Sequence, residues 1–309
     1  MSVLSQPYFH DEAAAVAKLE SIVWPEGSTC PHCGAVDRIY PLTGKTTRIG
    51  LKKCGHCRKQ FTVKVGTVFE SSHVPLYKWF QAAYLMCSSK KGISAHQLHR
   101  VLEVTYKTAW FMAHRLREAM ATMGMEPMGG EGAVVEVDET FIGRDKSIKP
   151  DHEKKGRGYA HKFKVLALVD RNTGRARALV VDSLKAKDLM PILADNIAQE
   201  ATVCTDEAGQ YVNLGKHFNG HGVVRHGIGE YGRGETHTNT IEGYFSIFKR
   251  GMKGVYQHCA KKHLHRYVAE FNFRYNERSV GDLDRTAIAL EGIGGKRLTY
   301  RQSSYKKTS

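Results

Sequence analysis

Hydrophobic and polar positions change period along this chain, and the changes predict its elements. Residues 133–143, AVVEVDETFIG, alternate as a strand with Asp138 in its middle. Residues 161–184 predict two strands joined by a hairpin turn at NTG, 172–174. A helix over 185–199, a strand ending at Asp206 and a helix over 237–250 follow. This order predicts an α/β domain with a sheet flanked by helices.

Residues 75–120 instead have apolar positions at helical spacing, with breaks at Gly92 and before Thr105. Ser94 and Thr105 are typical N-caps for the second and third of these helices. Three helices of this kind favour a helix-turn-helix, with an ordinary three-helix bundle as the alternative. A recognition helix contacts base edges through its first residues. The predicted DNA-contacting residues are therefore Tyr106, Lys107 and Thr108.

Four of the seven cysteines form two Cys-x-x-Cys pairs separated by 20 residues. Paired knuckles of this kind, in short β-rich segments, predict a zinc ribbon with a tetrahedral Zn²⁺. Disulfides or a redox dithiol are the alternatives, and the reducing cytoplasm disfavours the first. The role is structural, because four thiolates leave no ligand position open. The predicted ligands are Cys30, Cys33, Cys54 and Cys57.

The net charge of the chain indicates the kind of partner that it binds. The chain has 46 Lys and Arg against 31 Asp and Glu, a net charge of +15, which favours a polyanion such as nucleic acid. Basic residues are concentrated in residues 154–164, 249–278 and 296–309. No apolar run approaches the roughly 20 residues that cross a bilayer, and the N-terminus lacks a secretory pattern. We therefore expect a cytoplasmic protein.

The acids of the α/β region predict a second metal site. Asp138 and Asp206 lie on strands that could be neighbours, and Glu242 lies on the helix that follows. Carboxylates brought together in this way repel one another unless a divalent cation neutralises them, and two Mg²⁺ ions can hold both oxygens of a phosphoryl displacement. Glu136 shares the strand face of Asp138 and is an additional candidate ligand.

Lys249 follows Glu242 by seven residues, so their Cβ vectors differ by only about 20° around a helix. Both side chains therefore lie on one side of the helix. Lys249, Arg250 and Lys253 are candidate contacts to DNA phosphates.

The blocks VDETFIG, TDEAGQY and HTNTIEGYFSIFKRG, together with the zinc ribbon, resemble the ISXO2-like transposases of bacterial insertion sequences, over about residues 10–280. The resemblance implies an RNase H-like DDE catalytic core, a mixed sheet flanked by helices. It implies Asp138 and Asp206 as ligands of two Mg²⁺, for which Mn²⁺ substitutes, with Asp138 bridging both. It also implies cleavage at terminal inverted repeats by water, followed by attack of the freed 3′-OH on target DNA.

The third catalytic residue stays open between two candidates. Many DDE enzymes have an acid followed by Lys seven residues later, which matches Glu242 and Lys249. The resembling family is described with Asn at this place, which points to Asn239. The two residues are three apart and so share a helical face. Glu242 is our first choice and Asn239 the second.

The predicted division is an N-terminal helical segment (1–25), the ribbon (26–72), the helix-turn-helix region (73–122), a linker (123–132), the catalytic domain (133–280) and a basic tail (281–309). The predicted partners are double-stranded DNA, as inverted repeats and target, and a second copy, because two DNA ends must be held together. We expect a nucleoid-associated transposase. The alternatives are a DNA-binding regulator with an inactive core and an RNase H-like nuclease without strand transfer.

Overall fold

The computed structural model describes residues 2–122, 126–145, 161–225, 227, 232–233 and 236–299. The basic residues at 154–160 and 300–309 lie outside this range. The helices in it are α1 (Glu12–Val23), α2 (Leu76–Ser88), α3 (Ala95–Leu102), α4 (Tyr106–Met120), α5 (Ala186–Asn196), α6 (Asn239–Gly251), α7 (Lys261–Asn276) and α8 (Asp282–Glu291). The strands are β1 (Ile39–Pro41), β2 (Lys52–Cys54), β3 (Gln60–Phe61), β4 (Val134–Ile142), β5 (Phe163–Asp170), β6 (Ala176–Val181), β7 (Thr202–Asp206), β8 (Gly220–Val224), β9 (Gly232–Arg233) and β10 (Thr236–His237).

The chain forms two compact units, one from residues 1–121 with 279–309 and one from 122–278. The first contains the sheet β1-β2-β3, which is antiparallel, and the helices α1 to α4 and α8. The predicted N-caps are confirmed: the Ser94 hydroxyl accepts from Gln97 N at 3.1 Å, and the Thr105 hydroxyl accepts from Thr108 N at 3.2 Å. In the part of the chain that the structure describes, no helix combines the length and apolar character needed to cross a membrane.

The segment predicted as a basic tail contains α8, which packs against α2 and α4. The Arg285 guanidinium donates to the Cys87 carbonyl at 2.9 Å and so ties α8 to the end of α2. Thr286, Ala289 and Leu290 are buried. Their spacing is that of an amphipathic helix, a signal that the basic charge of the segment obscured.

The second unit has a five-stranded mixed sheet, within the described residues, in the order β6-β5-β4-β7-β8. Strands β4, β5 and β6 form an antiparallel meander, while β7 and β8 run parallel to β4. Helices α6 and α7 cover one face and α5 the other, each over its own apolar core. The predicted α/β fold, an RNase H-like mixed sheet preceded by a ribbon and a helical region, is confirmed.

Residues 126–132, predicted as part of a linker, are packed into the second unit. Met128 N donates to Asn196 O at 2.8 Å and Ala198 N to Met128 O at 2.9 Å. Gly129 has φ +85°, and a Cβ there would lie 2.7 Å from the Ala201 side chain. The glycines of this segment therefore permit close packing and tight turning, which sequence alone does not separate from linker flexibility.

Two asparagines of α7 bind the edge strand β6. The Asn272 amide pairs with the backbone N–H and C=O of Ala178 at 3.1 and 3.0 Å, and Asn276 does the same to Ala176 at 2.7 and 2.9 Å. The two asparagines are one helical turn apart, and the two alanines are two residues apart on the strand, so the spacing along the helix matches the spacing along the strand. The side chains satisfy backbone groups that an edge strand leaves unpaired, and they fix α7 to the sheet.

Candidate metal centre and active site

The four predicted zinc ligands lie together in the ribbon. Their Sγ atoms are within 4.8 Å of one another, and the Cys30–Cys57 and Cys33–Cys54 sulfur pairs are both 3.7 Å apart. Tetrahedral coordination with Zn–S bonds of about 2.3 Å separates sulfur atoms by about 3.8 Å. The four cysteines therefore fit a closed zinc site, and they form a candidate centre of that kind.

Backbone turns produce this geometry. Cys30 N donates to Ala35 O at 2.8 Å, and Cys54 N donates to Lys59 O at 3.0 Å, so that each knuckle folds over its second cysteine. Backbone N–H groups, of Cys57 first and then of His56, lower the pKa of the Cys54 thiol to about 7. A lowered thiol pKa favours the thiolate, which is the form that binds metal.

The two glycines of the knuckles serve different purposes. Gly34 has φ +75°, the left-handed conformation that a tight turn requires. Gly55 has no such φ; a Cβ there would lie 3.0 Å from the Arg38 side chain and 3.1 Å from the Tyr40 ring. Gly55 therefore allows β1 to approach the second knuckle.

Asp138 and Asp206 lie side by side on the central parallel strands. Strand β4 pairs with β7 through Val134 opposite Thr202 and Glu136 opposite Cys204. The same register continued along both strands places Asp138 beside Asp206, on strands about 4.8 Å apart. Asp138 and Glu136 share a strand face, and Glu136 contacts the first turn of α6. The predicted neighbouring strands are confirmed, and this acid pair lies on the face that α6 covers.

The acids near the end of β4 raise the pKa of Asp138 through their charges. Burial, then the charge of Glu139, then that of Asp206, raises the pKa of Asp138 to about 7. The Glu139 backbone N–H, which donates to Asp138 Oδ1 at 2.7 Å, and the Lys249 ammonium act in the opposite direction. A carboxyl group in such surroundings gains from a divalent cation, because the cation offsets both the burial and the repulsion.

Glu139 was not among the predicted site residues, because alternation places it on the opposite face from Asp138. It does lie there: Tyr211 Oη donates to it at 2.5 Å and Gln210 Nε2 at 2.7 Å. Burial and the charge of Asp206 nevertheless raise its pKa. Its charge thus belongs to the same cluster. The signal for this was the Asp-Glu dipeptide that recurs at 138–139 and 206–207.

Helix α6 has a buried aromatic face and an exposed polar side. Tyr244, Phe245 and Phe248 are buried, as predicted. Asn239 and Glu242 are exposed, so both candidates for the third catalytic residue lie away from the core. Lys249 is half-buried; its ammonium is 5.7 Å from the centre of the Phe245 ring, and its charge acts on Asp138.

Glu136 is not available as a metal ligand, since both of its oxygens are engaged and the residue is fully buried. Its Oε1 accepts from Arg171 Nε at 2.6 Å and lies 3.2 Å from His237 Nδ1. Its Oε2 accepts from Ile241 N at 2.8 Å. The Arg171 guanidinium also donates to the His237 carbonyl. The candidate role predicted for Glu136 is thus corrected: it fixes the first turn of α6 to β4, two residues from Asp138.

The acids are less tightly gathered than the thiols. Among the described residues, the four cysteines are the one set of three or more Cys, His, Asp or Glu side chains with ligand atoms within 4.8 Å of one another. Asp138, Asp206 and Glu242 therefore do not form a closed cluster, which distinguishes them from a preassembled metal cage.

The predicted DNA-contacting residues differ in exposure. Tyr106 is 45% exposed and stacks on His96, with 4.3 Å between ring centres, and Lys107 is exposed. The Thr108 hydroxyl is 2.8 Å from that of Thr105 and so takes part in the helix cap. Arg250 and Lys253 are exposed at the end of α6 and just beyond it.

Comparison with known proteins gives matches over both units. Residues 129–276 match the model of an ISXO2-like transposase domain, and residues 10–60 match that of a transposase zinc-ribbon domain. An uncharacterized protein in transposable element ISH50 of Halobacterium salinarum is 31% identical over 279 residues, covering 86% of this chain and 91% of that relative.

A solved structure of a simian T-cell lymphotropic virus intasome in complex with PP2A regulatory subunit B56 gamma is also similar. The two chains are 13% identical. Their alignment covers 57% of this chain and 67% of the intasome chain, with a TM-score of 0.28. A likeness of this size carries no argument about the site.

Proposed function

The chain belongs to the family of insertion-sequence transposases with an ISXO2-like domain, and from this premise we propose that it cleaves and joins DNA at the ends of its element. In this proposal it binds the terminal inverted repeats as double-stranded DNA. Two Mg²⁺ ions, or Mn²⁺ in their place, are held by Asp138, Asp206 and a residue of α6. Such ions stabilise the attacking and the leaving oxygen of a phosphodiester displacement.

The observation that carries the proposal is the acid pair on β4 and β7. Asp138 and Asp206 are adjacent in register, and burial with the neighbouring acids raises the pKa of Asp138 to about 7. Two ionised carboxylates in this arrangement repel each other unless a cation is bound. A Mg²⁺ held by two carboxylates still has coordination positions for substrate oxygens. Lys249 lies on the same helix as Glu242, and in this proposal its ammonium binds a DNA phosphate.

The ribbon and the helical region supply DNA binding in this proposal. Zn²⁺ held by Cys30, Cys33, Cys54 and Cys57 stabilises the ribbon and takes no part in chemistry. Tyr106, Lys107 and Thr108 contact the DNA, with Thr108 contributing mainly through its cap. Lys249, Arg250 and Lys253 bind backbone phosphates. At least two copies act together, because two ends are joined to one target.

The test is a cleavage and strand-transfer assay with Mg²⁺ and duplexes carrying the inverted repeat that flanks the gene. Cleavage at the repeat ends and joined products are expected. Loss of residues that merely orient metal ligands costs about 10- to 100-fold, so Asp138→Ala should cost at least 100-fold. Asp195→Ala, on the exposed side of α5, is the matched control. Cutting without joining would indicate a nuclease, and binding without cutting a regulator.

The third catalytic residue is decided by two variants in the same assay. We propose Glu242, and we therefore expect Glu242→Ala to lose cleavage at least tenfold more severely than Asn239→Ala. The physical reason is that a carboxylate is a stronger Mg²⁺ ligand than an amide oxygen. Near-parental cleavage by Glu242→Ala, with loss in Asn239→Ala, would transfer the role to Asn239.

A further inference from the structure

A cavity of about 290 Å³ opens beyond the end of α6, within the second unit. Its wall combines the end of β4, the start of β5 and the π-helical turn Met252–Tyr256 that continues α6. Phe141, Phe163, Met252 and Leu264 make it apolar, while Lys162, Lys253 and Gln257 add polar groups. A cavity of about 150 Å³ accommodates a benzene ring, so this one has room for a larger flat ring system.

We propose that this cavity receives a single unstacked nucleobase of the DNA end, a proposal that rests on the proposed function. An unstacked base needs an apolar or aromatic surface for its faces and polar groups for its edge. The Phe163 ring, beside Ile142 on the α6 side of the sheet, supplies the first and Gln257 the second. The base remains attached to two phosphates, and the exposed Lys253 and the neighbouring Lys162 carry the charge that complements them.

The backbone around the cavity is unusual in two places. Gln257 has φ 53° and ψ −54°, and His258 N donates to Tyr256 O at 2.5 Å across it, which is the rare γ-turn. The preceding turn is π-helical, a form that occurs frequently at functional sites. Strained backbone of this kind is maintained where a ligand site needs it. Here it places the Gln257 side chain on the cavity wall.

Gly143 contributes to the same wall. It has φ +60°, and a Cβ there would lie 3.1 and 3.2 Å from two atoms of the Phe163 ring. Any larger residue would thus push that ring. The glycine lets the strand end turn directly beside the ring.

The cavity lies at a suitable distance from the acids. Asp138 and Ile142 share a strand face and are four residues apart, which is about 13 Å at 3.3 Å per residue. Stacked DNA advances 3.4 Å per nucleotide. The cavity therefore lies within about four nucleotides of the phosphate that Asp138 and Asp206 would hold. We expect the extruded base within the first four nucleotides on either side of the cleaved bond.

Cys259 gives a direct test, because it lines the cavity and is half-buried, whereas Cys87 and Cys204 are buried and the other four cysteines are the zinc set. Repeat-end duplexes are prepared with a thiol tether, activated as a mixed disulfide, on one base at a time. With the full-length protein, cross-linking should peak at one position within four nucleotides of the cut. It should disappear in Cys259→Ser. Equal yields at all positions, or none, would overturn the proposal.

A second measurement uses 2-aminopurine at the same positions, whose fluorescence rises on unstacking. One position should respond, and Cys259→Trp, which fills the cavity, should abolish the response. Base stacking contributes to binding, so the affinity for the repeat end, and cleavage with it, should fall about 5- to 150-fold. Cys259→Ser is the size control. Parental cleavage without any responding position overturns this inference alone. Absence of cleavage from every duplex overturns the proposed function and this inference with it.

Discussion

The candidate zinc site and the proposed magnesium site, one in each unit, are built in opposite ways. The ribbon cysteines come from two short knuckles, each shaped by its own backbone hydrogen bonds, and sulfur atoms of one knuckle lie 3.7 Å from those of the other. The acids come from β4, β7 and α6, which are separated by long stretches of chain, and they repel one another. The closed site thus needs two local turns and one short pair of strands, β1 and β2, whereas the acid site depends on the packing of a whole domain.

The difference has a physical reason. Zinc bound by four thiolates has no free position, so the protein gains by making the site complete. A catalytic Mg²⁺ keeps positions for water and phosphate oxygens, so the proposed site needs few protein ligands and does not require them to be in contact. Burial and the charges of Glu139 and Asp206 raise the pKa of Asp138, which is the electrostatic cost of grouping these acids between buried strands.

Among the variants that test this comparison, removal of one thiolate should change stability the most. Structural zinc sites contribute about 10–16 kcal/mol of apparent binding free energy, and the small core of the ribbon cannot replace it. We expect Cys54→Ser to lose bound zinc and to unfold residues 26–72, detected by metal analysis and by proteolysis of the full chain. Cys259→Ser is the matched control and should keep zinc. A Cys54→Ser protein with one bound zinc and a protected ribbon would contradict the closed site.

Sequence predicted the closed site more completely than the open one. The Cys-x-x-Cys spacing alone identified all four thiols, because a knuckle fixes its own geometry. The neighbouring positions of Asp138 and Asp206 also followed from strand patterns. Glu136 and Glu139 were assigned less well, since their roles depend on Arg171, Tyr211 and Gln210, which lie far away in sequence. The helix α8 was missed because the basic residues that follow it masked its three buried residues, Thr286, Ala289 and Leu290.

Loss of the Glu136 carboxylate should have the next largest effect, and it concerns the open site. Glu136→Gln keeps the volume but places an amide where Arg171 and the Ile241 N–H need an acceptor. Breaking a buried ion pair costs about 3–5 kcal/mol. We expect a fall of this size in the unfolding free energy, measured by urea denaturation, with weaker cleavage because α6 shifts against β4.

The matched control for Glu136 is a longer and more exposed ion pair in the same unit. Arg175 and Glu277 are 3.8 Å apart, and the arginine side chain is 60% exposed. Pairs of this kind contribute about 0–1 kcal/mol, so Glu277→Gln should leave both stability and cleavage nearly unchanged. Equal effects of the two variants would show that Glu136 does not position α6. A positioning role also requires that excess Mg²⁺ not restore the cleavage rate of Glu136→Gln.

Neutralising Asp138 should have the smallest effect on stability of the three variants. Unlike Cys54→Ser and Glu136→Gln, it should stabilise the protein. Its pKa is about 7 in the folded chain and about 4 in the unfolded chain. The folded state therefore holds this proton more tightly. The associated stability is complete below pH 4 and is lost as the pH rises to 7. Asp138→Asn removes this loss, so the metal-free variant should be more stable than the parent at pH 8, by at most about 4 kcal/mol.

The measurement is urea denaturation at pH 4 and pH 8, with and without Mg²⁺. The gain of Asp138→Asn should be near zero at pH 4 and largest at pH 8 without the ion. Added Mg²⁺ should stabilise the parent and reduce the difference, because the ion offsets the repulsion among Asp138, Glu139 and Asp206. Asp195→Asn, exposed on α5, should change stability by less than about 0.5 kcal/mol at both pH values. If the parent were as stable as Asp138→Asn at pH 8 without metal, the ionised Asp138 would not destabilise the folded state. The contrast with the closed zinc site would then rest on geometry alone.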